Sequence, residues 1–160
     1  MNESVLRHLR EFSPESIVGT EEFRGDLSVT VRRDDIVRVC EYLKNDPDLA
    51  FDLIVDVCGV DRYLPEGRFE VVYNVYSIKN RCYLRLKVRL EEDEAVVRTV
   101  TGVWPGANWH ERETFDMFGI RFEGHPDLRR MYMPEEFEYY PLRKDFPLMG
   151  VPDSLPLPRR

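Results

Sequence analysis

The amino-acid sequence predicts a two-layer α+β domain, ordered as helix, two strands, helix and three strands in a largely antiparallel or mixed sheet, followed by a helical segment and an extended C-terminal arm. Three observations carry this expectation. The run Arg81–Leu90 alternates polar and apolar residues without a break, the period-two mark of a strand with one buried face. Ile36, Cys40 and Leu43 recur at spacings of four and three, which marks a helix with a buried stripe. From Gly119 onward, prolines at 126, 134, 141, 147, 152, 156 and 158 preclude any long helix.

Taken in order, residues 3–12 read as a short helix with Val5, Leu6, Leu9 and Phe12 on one side, ended by Pro14. Ile17–Phe23 and Leu27–Arg32 read as strands turned at Gly25-Asp26, the second alternating Leu27, Val29 and Val31 against Ser28, Thr30 and Arg32. Asp34 or Asp35 then caps a helix to about Asn45, and Asp46-Pro47-Asp48 stops it. Strands are expected at about 51–58, 68–78 and 81–90, the last two joined by a tight connection at Lys79-Asn80. Glu91–Glu94 opens a helix through about Thr99, which Trp104-Pro105-Gly106 breaks. Asn108 is placed to cap the next helix, with Glu111 reaching back as in a capping box, and Gly119 stands where a left-handed terminating residue belongs. The chain thus divides into an α+β domain (1–100), a charged helix region (101–120) and an extended docking arm (121–160).

At 160 residues the chain fits one domain with an arm, and its 42% hydrophobic and 33% charged residues place it among globular proteins. A net charge of -7 argues against nucleic-acid binding, because a polyanion rewards a basic surface; the face carrying Arg81, Tyr83, Arg85, Lys87 and Arg89 is therefore read as solvated or partner-facing. The acidic excess lies wholly in residues 1–118, whereas residues 119–160 hold seven basic and seven acidic residues, as expected of a segment that pairs its charges locally or across a contact. No apolar run approaches the roughly 18 residues that span a bilayer, and the N-terminus lacks a secretory layout, so a cytosolic chain without a membrane span is expected. Cys40, Cys58 and Cys82 are odd in number, widely spaced and free of a C-x-x-C pair, which fits reduced structural residues rather than a disulfide or a metal thiolate site. Gly102, Gly106 and Gly119 do not form a phosphate-binding loop. No cofactor, metal or catalytic residue is expected in this chain.

The segment Asn108–Pro147 is the most informative. Phe115, Phe118, Phe122, Tyr132, Phe137, Tyr139, Tyr140 and Phe146 are more aromatics than so short a piece can hide, and aromatic, Met and Arg enrichment marks protein interfaces. On the helix, Glu111, Phe115 and Phe118 share a face, and Arg112 and Asp116 lie one turn apart where they can pair. Buried carboxylates here would cost several kcal/mol unless paired with a cation such as Arg129, Arg130 or Arg143. Pro141–Pro147 sets Arg143 and Lys144 between prolines, in position to present two cations to a neighbour. Two other readings are a solvated face with local ion pairs, and an acid–base site with Glu111, Glu113 or Asp116 assisted by His110 or His125, which would need an open cleft. Neither histidine has metal-ligand spacing, and both read as hydrogen-bonding residues.

Three runs, ERETFDMFGI (Glu111–Ile120), GHPDLRR (Gly124–Arg130) and PLRKDFP (Pro141–Pro147), together with WPGANW (Trp104–Trp109) and VVYNVYS (Val71–Ser77), closely resemble the C-subunit family, or 30 kDa subunit family, of the proton-pumping NADH-quinone oxidoreductase, respiratory complex I. Tyr139-Tyr140 departs from the glycine and histidine that many members carry there. The resemblance implies a cofactor-free member of the hydrophilic arm, peripheral on the cytoplasmic face of the cell membrane. It would pack on the D subunit, which helps to form the quinone site, with the iron-sulfur B and I subunits nearby, in a complex that uses NADH, FMN, iron-sulfur clusters and quinone. The partner interface it implies comprises Glu111, Arg112, Glu113, Phe115, Asp116, Phe118, His125, Pro126, Leu128, Arg129, Arg130, Pro141, Leu142, Arg143, Lys144, Asp145 and Phe146. An equivalent subunit of a ferredoxin- or F420-linked quinone reductase, or of a membrane-bound hydrogenase, is the nearest alternative.

Overall fold

The strand with the clearest alternation, β5 (Cys82–Leu90), lies at the centre of the main sheet, with Leu84, Leu86, Val88 and Leu90 all buried. The computed structural model describes residues 2–147 and 149–150. Ahead of β5 come α1 (Asn2–Phe12), β1 (Ile17–Phe23), β2 (Asp26–Val31), α2 (Ile36–Asn45), β3 (Leu53–Asp61) and β4 (Phe69–Ser77). Behind it come β6 (Val96–Arg98), α3 (Ala107–Phe118) and β7 (Arg121–Glu123).

The spatial order of the main sheet is β1-β2-β5-β4-β3. Hairpins pair β1 with β2, β3 with β4 and β4 with β5 antiparallel, while β2 and β5 run parallel with Val29 opposite Leu86. The sheet is mixed because α2 carries the chain from β2 to the far edge, and the returning meander brings β5 back beside β2. Ile36, Val39, Cys40 and Leu43 of α2 are buried in the core, and the Phe12 ring of α1 stacks on Tyr42 of α2 at 4.0 Å. The Trp104 indole N–H, from the bend before α3, donates to the Phe51 carbonyl at 3.1 Å and closes one end of the core.

Three sequence expectations are corrected. Glu91–Thr99 is not a helix but a turn followed by β6, which pairs in parallel with β7 through Val96–Arg121, Val97–Phe122 and Arg98–Glu123. The acidic run suits a helix start, yet two β-branched valines follow it, and a backbone partner about 25 residues away outweighs the local preference. Asp35 occupies the position before α2 without capping it, and its carboxylate pairs with Arg38 at 3.2 Å instead. No capping box forms at α3: the helix starts at Ala107, and Glu111 turns inward rather than back toward Asn108. Gly119 does terminate α3 in the left-handed region (φ 74°), donating its N–H to the Phe115 carbonyl at 2.8 Å.

Helix α3 packs on the edge strand β3, where the Thr114 hydroxyl donates to the Val57 carbonyl at 3.1 Å. The close approach depends on Gly59. A methyl group there would lie 2.6 Å from the Phe118 ring and 3.0 Å from the Thr114 methyl. Gly59→Ala is therefore expected to lower unfolding free energy by about 1–3 kcal/mol in urea titration, the usual range for overpacking. Gly19→Ala on β1, where the nearest atoms are 4.0 Å away, serves as the tolerant comparison.

Candidate functional site

The segment after β7 returns across α3, and one carboxylate holds it there. Asp116 is fully buried, and its Oδ2 accepts the consecutive backbone N–H groups of Met131, Tyr132 and Met133 at 3.0, 2.7 and 3.0 Å. Its Oδ1 takes the Arg130 guanidinium at 2.7 Å. Burial alone would raise the Asp116 pKa, but the three N–H donors and Arg130 outweigh it and hold the carboxyl below the usual aspartate range. Three adjacent amides converging on one oxygen form an anion nest, which here is filled by the protein's own side chain.

Two further anchors fix the PLRKDFP segment. The Arg143 Nε donates to the Phe118 carbonyl at 2.6 Å, and its guanidinium lies 5.0 Å over the Phe69 ring and 4.5 Å over the Tyr140 ring. Arg130 lies 5.2 Å over the same Tyr140 ring, so the residue that departs from the family pattern stacks with both cations. Gly119 is required beneath this stack, since a Cβ would come within 2.6 Å of both Tyr140 and Arg143. The second anchor is Asp61, fully buried at its side chain, which binds Arg68 at 3.1 Å and accepts the Lys144 backbone N–H at 2.8 Å. Arg68 also reaches Asp145 at 2.8 Å, as well as Glu92.

These contacts correct two expectations. Arg112 does not pair with Asp116; its guanidinium donates to the Arg129 and Arg130 carbonyls while lying 5.0 Å over the Trp109 ring. Nor does Arg143 project outward, for it is spent on the end of α3 and on Tyr140, whereas Arg130 pairs with Asp116 as one of the cations expected to compensate a buried carboxylate. The arm as far as residue 146 is anchored to its own domain at several points, while Tyr132, Tyr139 and Leu142 stay exposed; residues 151–160 lie outside the described residues. The expected interface set is accordingly split. Glu111, Arg112 and Asp116 are buried, and Phe115, Phe118, His125, Leu128, Arg130, Pro141, Arg143 and Phe146 are half-buried. Glu113, Pro126, Arg129, Leu142, Lys144 and Asp145 are exposed.

Glu111 differs from Asp116 in having no cation bonded to it. Its Oε1 accepts the Val100 N–H at 2.8 Å and its Oε2 the Thr99 hydroxyl, while the His125 Nε2 stands 4.0 Å away. The His125 Nδ1 accepts the Asp127 N–H at 3.0 Å, so Nε2 carries the proton of a neutral ring and faces the Asn108 carbonyl at 3.2 Å. Burial lowers the His125 pKa and raises that of Glu111 to about 7, against the pull of Thr99 and Val100. A shallow groove bordered by Thr99, Thr101, Asn108, Gly124 and Pro126 crosses this corner, but Glu111 does not line it. Glu111 is thus turned away from that groove, into the packing of α3 against the Thr99-Val100 turn.

Asp61 and Arg68 were missed from sequence. The legible signal was an acid and a base flanking one hairpin connection, at the end of β3 and just before β4. Cys40 is buried as expected, but Cys58 is exposed; partial burial and Asp56 push its thiol up to about 11, unlike an activated nucleophile. Among the described residues, one group brings three ligand-type atoms within 4.8 Å of one another, the surface residues His8, Asp46 and Asp48.

Comparison with known proteins gives a consistent picture. The family described as respiratory-chain NADH dehydrogenase, 30 Kd subunit, matches residues 29–152. The chain is 54% identical over 147 residues to the NADH-quinone oxidoreductase C subunit of Roseiflexus sp. (strain RS-1), covering 92% of this chain and 84% of that protein. It is 48% identical over 155 residues to the corresponding protein of Geotalea uraniireducens (strain Rf4), covering 97% and 92%. Among solved structures, the trypsin-resistant fragment (1-134) of Nqo5 superposes with a TM-score of 0.67 at 32% identity, over 80% of this chain and all of that one. A chain of the membrane-bound sulfane sulfur reductase, an archaeal respiratory membrane complex, superposes with a TM-score of 0.76 at 26% identity, over 92% and 86%.

Two outcomes are expected. Asp116→Ala leaves Arg130 and three amides without their acceptor and should cost about 3–5 kcal/mol in denaturant unfolding. Arg129→Ala, which removes only an exposed pair with Asp127, should change little. For Glu111, a folded-state pKa above the unfolded one means that the folded protein binds the extra proton; its contribution is complete below the unfolded pKa and is lost as pH rises to about 7. Unfolding free energy should therefore fall, on the order of 3 kcal/mol, from acid toward neutral pH. Glu111→Gln should flatten that dependence, as read by urea titrations across the range.

Proposed function

The chain belongs to the 30 kDa subunit family of the respiratory-chain NADH dehydrogenase, and from that premise we propose that it is a structural component of a proton-translocating NADH-quinone oxidoreductase, holding no redox centre of its own. In this role it packs on the D subunit beside the quinone site, with the iron-sulfur B and I subunits nearby. It is held peripherally on the cytoplasmic face of the membrane through the complex. FMN and the iron-sulfur clusters, which carry electrons from NADH to quinone, reside in other chains.

The observation that carries this reading is the use made of the buried charge. Asp61, Arg68, Asp116, Arg130 and Arg143 are all committed to contacts that hold the return segment on its own domain. Such a design shapes a surface rather than a reaction. The three cysteines lie on α2, β3 and β5 rather than as a clustered ligand set, which supports a chain without a metal cluster. Among the described residues no helix is long and apolar enough to cross a membrane, which supports attachment through partner chains. The likeness to a chain of the sulfane sulfur reductase complex favours one second reading, the equivalent subunit of a related respiratory membrane complex with another electron donor or acceptor.

Native purification with mass spectrometry of the associated chains distinguishes the two readings. Recovery with NADH-oxidising and quinone-site chains is expected. Arg143→Ala and Glu111→Ala should each reduce the amount of assembled complex, and quinone reductase activity with it, while activity per assembled complex changes much less. Normal assembly with abolished turnover would instead assign this chain a direct part in the chemistry.

A further inference from the structure

The return segment sorts its charges by side, and the outward side is acidic. Arg130 and Arg143 turn inward; Arg129, paired with Asp127, and Lys144 are exposed, but Glu135, Glu136 and Glu138 are exposed too and have no ion-pair partner among the described residues, so the outward charge is acidic on balance. Large apolar side chains stand among these carboxylates. Tyr132 is 59% exposed, Tyr139 46% and Leu142 53%. Three exposed acids and three exposed apolar groups thus fall within residues 132–142 of one loop, which sets it apart from an ordinary solvated loop that would leave fewer such groups uncovered.

The patch is also pre-shaped. Asp116 fixes the backbone at residues 131–133, and the Leu142 N–H donates to the Met117 carbonyl at 3.2 Å. Between these ends the Arg130 Nη2 donates to the Tyr139 carbonyl at 3.2 Å, and the Phe137 ring turns in against Tyr139 and Phe146. A loop tied at both ends and pinned at its middle presents its outer side chains with little left to order on binding.

We propose that this acidic–aromatic patch, centred on Glu135, Glu136 and Glu138 with Tyr132, Tyr139 and Leu142, is the docking surface for an Arg/Lys-rich surface of a neighbouring protein chain in the complex. The chemistry selects that occupant. A second copy of this chain pairing through the same patch would bring acid against acid, and an anionic lipid surface would be repelled likewise. An arginine-rich protein surface can pair with the carboxylates and stack on the two tyrosine rings. The inference rests on the proposed membership of a multisubunit complex and reverses the polarity expected from sequence, in which the arm offered cations.

The test uses the assembled complex from cells carrying a tagged full-length chain. Glu135→Gln, Glu136→Gln and Glu138→Gln together should let the chain dissociate at lower salt than the parent. The corresponding triple change to lysine should lower the amount of assembled chain about tenfold, the combined effect expected of three charges at an interface rim. Matched reversals at the exposed Glu3, Glu11 and Glu41 should leave assembly at the parental level. Retention of all variants alike, in a complex that still contains the chain, would overturn the docking surface and leave the proposed function standing. Failure of the parent chain to co-purify with any quinone reductase chain would instead overturn the proposed function, and this inference with it. Hydrogen exchange of the isolated chain truncated after residue 150 closes the remaining route: unchanged protection at residues 131–143 supports an external partner. Loss of protection would show the chain's own tail to be the occupant and would also overturn the proposal.

Discussion

A carboxylate without access to water must be satisfied by the protein, and Asp116 meets that requirement with three consecutive backbone amides and one guanidinium. The shape of the C-terminal third follows from it. Amides can converge on one oxygen only if the chain bends there, so the desolvated charge dictates where the segment after β7 turns back over α3. Once that turn is fixed, Arg130 is brought under Tyr139 and Tyr140, and Arg143 reaches the Phe118 carbonyl at the end of the same helix. The Asp61–Arg68 pair repeats the principle at the far end, where a buried carboxylate accepts the Lys144 amide.

Two buried acids on one helix thus meet different fates for a physical reason. Asp116 has enough donors to stay charged below its ordinary pKa, whereas Glu111 has one amide, one hydroxyl and a neutral histidine, and its pKa rises to about 7. The first acts as an electrostatic clamp. The second ties the turn at Thr99-Val100 to α3 by hydrogen bonds, a role a protonated carboxyl can share. Both consume ionisable residues that a reading of the helix alone would have offered to solvent, to a substrate or to a partner.

That consumption leaves an acidic surface by subtraction. Arg130 and Arg143 are turned inward and half-buried, while Glu135, Glu136 and Glu138 stand outside and outnumber the exposed Arg129 and Lys144. Near-neutral composition therefore conceals a polarised loop. For a family member proposed to act by packing among other chains, the side on which charge emerges matters more than the total, since interfaces discriminate by local complementarity.

Periodicity made most of the fold legible, because side-chain burial repeats every two residues in a strand and every three to four in a helix. The stripe Ile36, Cys40, Leu43 and the alternation along β5 gave those elements nearly to the residue. The glycine ending α3 was legible for an equally local reason, the low cost of positive φ at that residue. Beyond local pattern, sequence reading failed where pairing joins distant segments: β6 exists because β7 lies beside it, and the parallel register of β2 with β5 depends on a crossover that no local signal encodes. The charged motifs showed the same limit. Their residue types announced that charge would be buried near aromatics, but which acid met which base, and which charges were left outside, was decided by tertiary structure, because a guanidinium several Å long can turn toward either of two surfaces and only the packed neighbours determine which one offers it an acceptor.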